Sequence, residues 1–369
     1  MINRIYVFAN IGHLNKLPVS GGQTSARRVI TGLQEEGLEV IPIRRHRASL
    51  PSKIGHRLEV SYFAVYDLLK MVCIMLFARR EHSLFMNITY AGSLVPYDLI
   101  RSIITKCLGF NCIMYVKGGK MMDSPLSTNR WHRWMFGKNA DLQNLILFEG
   151  YEALQMAQHY TKTRLHYFPN YIDDKYIPHE VPSKPTDCWN LMYFGRINRQ
   201  KNILVIIETF NLVSEMIKDK KVHLTLIGRG DHLDYLEKVK NAIDKSPYHE
   251  NIDYYGLSPF EFLMEKMRDS HFYLFPTMTK AEGHSNALNE AMSQGLVPVV
   301  SNLHFNSSVV GNERFVVDSY DPLDYANRIV ELIESKKLAT YSHDVWQRVK
   351  VHYAKSVVNH NVVEQIKHL

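Results

Sequence analysis

Cysteine is scarce and unpatterned in this 369-residue chain: Cys73, Cys107, Cys112 and Cys188 are the whole set, and no two stand as Cys-x-x-Cys. That spacing argues against a disulfide framework or a zinc cage. With no export signal apparent ahead of the first apolar segment, free thiols in a reduced, cytoplasmic setting are expected. No uncharged apolar run of membrane-spanning length occurs either. The longest, Val60 to Ala78, carries Asp67 and Lys70 in its middle, and each such charge near a bilayer centre costs about 2.5–3.5 kcal/mol. The favoured reading is a core helix with a basic C-terminal end, over an interfacial helix whose Arg79 and Arg80 touch lipid headgroups. Internal repeats and low-complexity stretches are also missing. So are RNA-binding signatures and basic base-reading helices, so nucleic acid is not an expected partner.

What is present points to a globular enzyme-sized protein. Hydrophobic residues make up 46% and charged residues 22%, which excludes a disordered chain, and the length suits two domains. The net charge of +7 is unevenly spread: residues 1–185 hold 23 Lys+Arg against 14 Asp+Glu, the rest 21 against 23. A basic first half suits a phosphorylated acceptor or an anionic membrane surface at its periphery. Apolar strand-like runs alternate with amphipathic helical patterns: RIYVFA at 4–9, a helix through Ala26, Val29, Ile30 and Leu33, a helix near 57–79, a strand near 84–90, a helix near 97–108, strands at 111–116 and 143–149, and a helix near 151–159. Alternation of this kind implies parallel sheets covered by helices on both faces.

The most informative stretch is residues 271–301, HFYLFPTMTKAEGHSNALNEAMSQGLVPVVS. Phe272–Phe275 reads as a buried strand, Ala287, Leu288, Ala291 and Met292 fall at helical spacing, and Leu296–Val300 reads as a second strand after the cap-like Gly295. Ser285 or Asn286 suits the helix N-cap, where unpaired N–H groups and the positive dipole end favour a phosphate. Glu282 precedes this helix and Glu290 lies within it; ionised carboxylates can accept hydrogen bonds from sugar hydroxyls. Upstream, LMYFGRINRQKN places Arg196 and Lys201 in a loop after a strand, next to Gly195, a cationic setting for a diphosphate. Near the start, Gly21 and Gly22 precede the first helix, where backbone can approach an anion.

The run Glu282-Gly283-His284-Ser285-Asn286, then Glu290, Gly295 and Pro298-Val299-Val300, resembles the donor-site signature of glycosyltransferase family 4, the retaining enzymes of GT-B fold. The first loop and helix are similar to those of the same family, as is Phe168-Pro169-Asn170-Tyr171-Ile172-Asp173, where Tyr171 replaces the usual Gly. The resemblance implies an α/β protein of two Rossmann-like domains with parallel sheets facing across a cleft. Residues 1–172 would form an acceptor-binding domain, 173–188 a Pro-rich linker, 189–341 a nucleotide-sugar-binding domain, and 342–369 a helical tail crossing back.

By resemblance, Arg196 and Lys201 hold the donor diphosphate beside Gly195, with Asn202 in place of a second glycine. Glu282 binds the sugar; Gly283, His284, Ser285 and Asn286 contribute at the sugar and phosphate; Glu290 takes the ribose; Leu257 contacts the base; Gly21 and Gly22 border the diphosphate and acceptor. Many family members carry a His near Lys117. This chain has none, and Lys117 and Lys120 stand there as cations for phosphate or sugar. The implied reaction moves a sugar, from a UDP-sugar for preference, to a hydroxyl of a glycan or lipid-diphosphate-linked acceptor in surface polysaccharide synthesis, on the cytoplasmic face of the membrane.

No Asp-x-Asp triplet exists, so neither a metal nor another cofactor is expected, and charge neutralisation falls to the cations and the helix end. Gly228-Arg229-Gly230 lacks the third glycine of a dinucleotide fingerprint and does not support a nicotinamide cofactor. Competing readings are a glycoside hydrolase with paired Glu, a nucleotide-sugar epimerase of the same architecture, and a non-catalytic scaffold partner of another glycosyltransferase.

Overall fold

The computed structural model describes residues 2–13, 21–47, 52–90, 95–122 and 129–369. The chain divides into two units, residues 1–170 with 356–369, and residues 171–355. The first contains β1 (Arg4–Ala9), α1 (Gly21–Glu35), β2 (Glu39–Arg44), α2 (Lys53–Leu76), β3 (Ser83–Thr89), α3 (Val95–Cys107), β4 (Asn111–Val116), α4 (Arg130–Asp141), β5 (Leu145–Phe148), α5 (Tyr151–Ala157) and β6 (Leu165–Tyr167). The second contains β7 (Cys188–Phe194), α6 (Ile203–Met216), β8 (Lys221–Ile227), α7 (Leu233–Asp244), β9 (Ile252–Tyr255), α8 (Phe260–Asp269), β10 (Phe272–Phe275), α9 (Asn286–Ser293), β11 (Val297–Ser301), α10 (Asn306–Val310), β12 (Val316–Val317), α11 (Pro322–Glu334) and α12 (Leu338–His352). The last helix, α13 (Lys355–Lys367), falls from Ser356 onward in the first unit.

Each unit holds a six-stranded sheet, in the order β2-β1-β3-β4-β5-β6 and β12-β11-β10-β7-β8-β9. Every described pairing is parallel. Parallel strands are covered on both faces, so they read as continuous apolar runs. That is why β4, β5, β10 and β11 are buried at nearly every position. Each Leu, Ile or Phe so buried contributes about 1.5–3 kcal/mol of transfer free energy.

Several expectations are corrected. Gly21 and Gly22 do not precede α1 but form its first turn. The helix expected near 57–79 begins at Lys53, where the Ser52 hydroxyl caps Gly55 N–H at 3.1 Å. It is not a core helix: Met71 and Met75 pack inward on Tyr6, Phe8 and Phe85, while its opposite face is open to solvent. α4 has no clear apolar period in its Arg- and Trp-rich sequence, and is started by Asn129, whose side chain accepts from Trp131 N–H at 2.9 Å.

Residues 173–188, expected as an interdomain linker, fall within the second unit and run along it as a strap. The Lys184 ammonium donates to the carbonyls of Met267, Arg268 and Gln294 at 3.1, 2.9 and 2.8 Å. Trp346 Nε1–H donates to Pro178 O at 3.1 Å. Of the expected tail, α12 packs on α9 and β11 in the second unit.

His271 locks this strap to the sheet. Its Nδ1 accepts from Asn190 N–H at 3.1 Å, which places the ring proton on Nε2, 3.0 Å from Pro185 O. Burial lowers its pKa from 6.5 to about 4. The folded protein therefore binds fewer protons than the unfolded chain between those values, so this contribution is complete above pH 6.5 and lost as pH falls towards 4. Urea unfolding across that window is expected to show a loss of roughly 3 kcal/mol assignable to this ring. His271→Gln should flatten the slope; an unchanged slope would contradict the assignment.

Candidate active site

The second sheet has one switch point. From β7 the chain moves outward through β8 and β9, then returns to β10 on β7's other side and continues to β11. The loops after β7 and β10 therefore splay apart at adjacent strand ends, where open α/β sheets take their ligands. Beside this switch point, two glycines let the loops after β7 and β8 approach each other. Gly195 has φ +140° and Gly228 φ +157°, and a Cβ on Gly228 would lie 1.7 Å from the Gly195 carbonyl oxygen.

Lys201 and Glu282 meet at this point, the ammonium directly on the carboxylate. Lys201 comes from a turn that Asn198 caps, its side chain accepting Lys201 N–H at 3.1 Å. The next residue, Asn202, has φ +58°, a left-handed conformation that Asn tolerates better than most residues, which explains how it stands in for glycine. The Lys201 ammonium also sits 4.7 Å from the Phe275 ring centre. The two loops are tied by Met278 N–H on Gln200 O at 2.8 Å, and Glu282 N–H bonds Thr279 O at 2.8 Å.

Beneath them Tyr193 and Tyr273 stack at 6.3 Å. Their hydroxyls donate to Arg196 O at 2.8 Å and Phe194 O at 3.0 Å. Burial raises both phenols far above their ordinary range, with the Glu282 charge adding to each, Glu290 to Tyr273, and Arg196 opposing at Tyr193.

Arg196 reaches outward, its side chain 65% exposed and its guanidinium 3.5 Å from Asp231. Asp231 also accepts from Asn198 Nδ2 at 2.7 Å. Gly283 lies in the loop before α9, whose N-cap Ser285 supplies no side-chain cap, so the first turn of N–H groups that begins at Asn286 faces the loop. Glu290 is half-buried one turn on. His284 is buried inside the second unit instead, Nε2 2.8 Å from Asn289 Oδ1 and its ring edge-on to Tyr353 at 4.7 Å. Leu257 is 81% exposed after β9. Among the described residues no three His, Cys, Asp or Glu side chains cluster as a metal cage.

The first sheet switches direction between β1 and β3. Gly22 sits there against Tyr90, whose hydroxyl would be 2.5 Å from an added Cβ. Lys117, expected as a phosphate or sugar contact, is buried instead. Its ammonium meets Glu149 at 3.1 Å, Tyr115 Oη at 3.0 Å and Asn170 Oδ1 at 3.1 Å, so its three hydrogens are committed. Burial lowers its pKa against the pull of Glu149. Glu149 also accepts Gly118 N–H at 2.5 Å, fixing the end of β4. The side chain of Lys120 lies outside the described residues.

Residues 189–335 match the family model described as Glycosyl transferases group 1. No curated protein matches the chain by sequence. Among solved structures, sucrose-phosphate synthase from Thermosynechococcus elongatus superposes with TM-score 0.71 at 13% identity, over 99% of this chain and 98% of that one. A glycosyltransferase from Rickettsia africae gives 0.72 at 12%, over 100% and 98%. Anabaena HepE in complex with UDP gives 0.70 at 11%, over 100% of both chains. The fold is GT-B. The family match and the GT-B architecture together support a glycosyltransferase.

Within this GT-B protein, sequence reasoning passed over Asp231, Asn198 and the Tyr193–Tyr273 pair. Asp231 directly follows the Gly228-Arg229-Gly230 run, and that adjacency was the one available signal. A double-mutant cycle of Lys201→Met and Glu282→Gln, read by denaturant unfolding, should give a coupling energy of about 1–3 kcal/mol. Strict additivity would show that the pair does not form.

Proposed function

We propose that the protein is a retaining glycosyltransferase of family 4 type, moving a sugar from a UDP-sugar to a hydroxyl of a glycan or lipid-diphosphate-linked acceptor. The observation that carries this reading is the Lys201–Glu282 pair at the switch point before α9. It joins a cation for a diphosphate to a carboxylate for a sugar. A donor diphosphate competes for Lys201, and as the ammonium turns to phosphate it frees Glu282 to accept from sugar hydroxyls. Arg196 and the α9 N-terminus take up further negative charge on the leaving diphosphate.

Glu290 accepts from the ribose, and Leu257 offers apolar contact to the base. In the transfer itself, the bond from the anomeric carbon to the diphosphate oxygen breaks and the acceptor oxygen bonds on the same face. The acceptor's proton passes to the departing diphosphate. Lys117 acts by holding the end of β4 through Glu149. Neutralisation by protein groups makes a divalent metal unnecessary in this proposal.

A panel of UDP-, ADP- and GDP-sugars tests it. UDP-sugars should release free UDP in the presence of acceptor, with chelator making no difference. Glu290→Ala and Arg196→Ala should each lower kcat/KM by about 100-fold or more. Wild-type kinetics in Glu290→Ala, or complete loss of turnover with chelator, would contradict the proposal. An isomerised nucleotide sugar formed without acceptor would favour the epimerase reading.

A further inference from the structure

The outer surface of the first unit's helix layer is inverted in polarity. α2 hides one of its two carboxylates and shows its apolar residues: Asp67 is 2% exposed and Glu59 half-buried, whereas Ile54, Leu58, Tyr62, Val65 and Leu69 are 59–76% exposed and Phe77, just past its end, reaches 91%. Spacings of four, four, three and four put those five side chains on one stripe. Asp67 is held inside by His46, through its N–H at 2.8 Å and Nδ1 at 2.6 Å. α3 repeats the pattern, burying the Asp98–Arg101 pair at 2.9 Å and exposing Tyr97, Ile100 and Ile103. On α4, Trp131 and Trp134 are exposed and meet edge to face at 6.1 Å.

These stripes form one surface. The connections β2→β3, β3→β4 and β4→β5 all advance in the same direction across the sheet. Right-handed crossovers then place α2, α3 and α4 on one side of it, and α3 packs on both neighbours. Basic side chains rim the surface. Arg79 and Arg80, with Arg4, His82 and a single carboxylate, Glu81, line a cavity of about 500 Å³ beyond the end of α2, and Arg130 and Arg133 flank the tryptophans.

We propose that this face docks on an anionic lipid bilayer, with the stripe of α2 and the tryptophans of α4 at the level of the headgroups and Arg79 and Arg80 receiving lipid phosphates. Among the described residues no helix is long and apolar enough to cross a membrane, so the contact is peripheral. Exposed Trp beside Arg suits the interface, where an apolar ring and a polar edge are both satisfied. A second copy on a twofold axis would set the same basic rim against itself, whereas an anionic surface is complementary to it. The inference is independent of the proposed reaction, since it needs no turnover.

Co-sedimentation of the full chain with vesicles of phosphatidylcholine alone, or with about 30% phosphatidylglycerol, tests it. The protein should partition onto the anionic vesicles at least about tenfold more strongly, and about 0.5 M salt should weaken the binding. Leu58→Glu/Leu69→Glu and Arg79→Glu/Arg80→Glu should each reduce it about tenfold, with an unchanged circular dichroism spectrum and thermal midpoint showing that the variants fold. Equal partitioning on both vesicles, no partitioning, or an unaffected Leu58→Glu/Leu69→Glu variant would overturn the proposal. So would a dimer in sedimentation equilibrium that the same variant splits.

Discussion

An ammonium and a carboxylate 81 residues apart in sequence meet at the carboxyl edge of the second sheet. Everything around them serves to bring those two loops together. β7 and β10 are adjacent only because the chain reverses direction between them, and each strand delivers one loop to the same place. Gly195 and Gly228 allow the backbone after β7 to pass close to the backbone after β8 beside them. Tyr193 and Tyr273, buried and stacked, form the floor and are hydrogen-bonded to the backbone that carries Arg196. A charge pair so placed is costly to desolvate and gains stability only from good geometry, which marks it as a site as readily as a brace.

The strands of both units were legible in the sequence. Buried parallel strands declare themselves as apolar runs, and β1, β4 and β10 stand where the pattern put them. Glu282 stood out in the sequence because it precedes a glycine and a run of small residues ahead of a helix, and Lys201 because it shares a loop with Gly195 and Arg196; the fold brings the two together. Lys117 misled for the converse reason. A lysine after a strand beside two glycines looks available to an anion, and only the fold shows Glu149 and Asn170, 32 and 53 residues away, occupying it. His284 is similar, drawn inward by Asn289 and Tyr353.

α2 shows a limit of a different kind. Periodicity detects a helix with one apolar face, but α2 is apolar on both, so its sequence reads as a core segment. Which face meets the sheet is decided by Met71, Met75 and the buried Asp67. The strap at 173–188 likewise reads as a linker from its Pro and charge content, because the carbonyls that hold Lys184 are backbone atoms that no side-chain pattern reveals.

A crystal structure with UDP bound tests the central claim most directly. The account predicts the β-phosphate within hydrogen-bond distance of the Lys201 ammonium and the first N–H groups of α9, with Glu282 released from the lysine. UDP bound elsewhere, with Lys201 and Glu282 still paired, would contradict it.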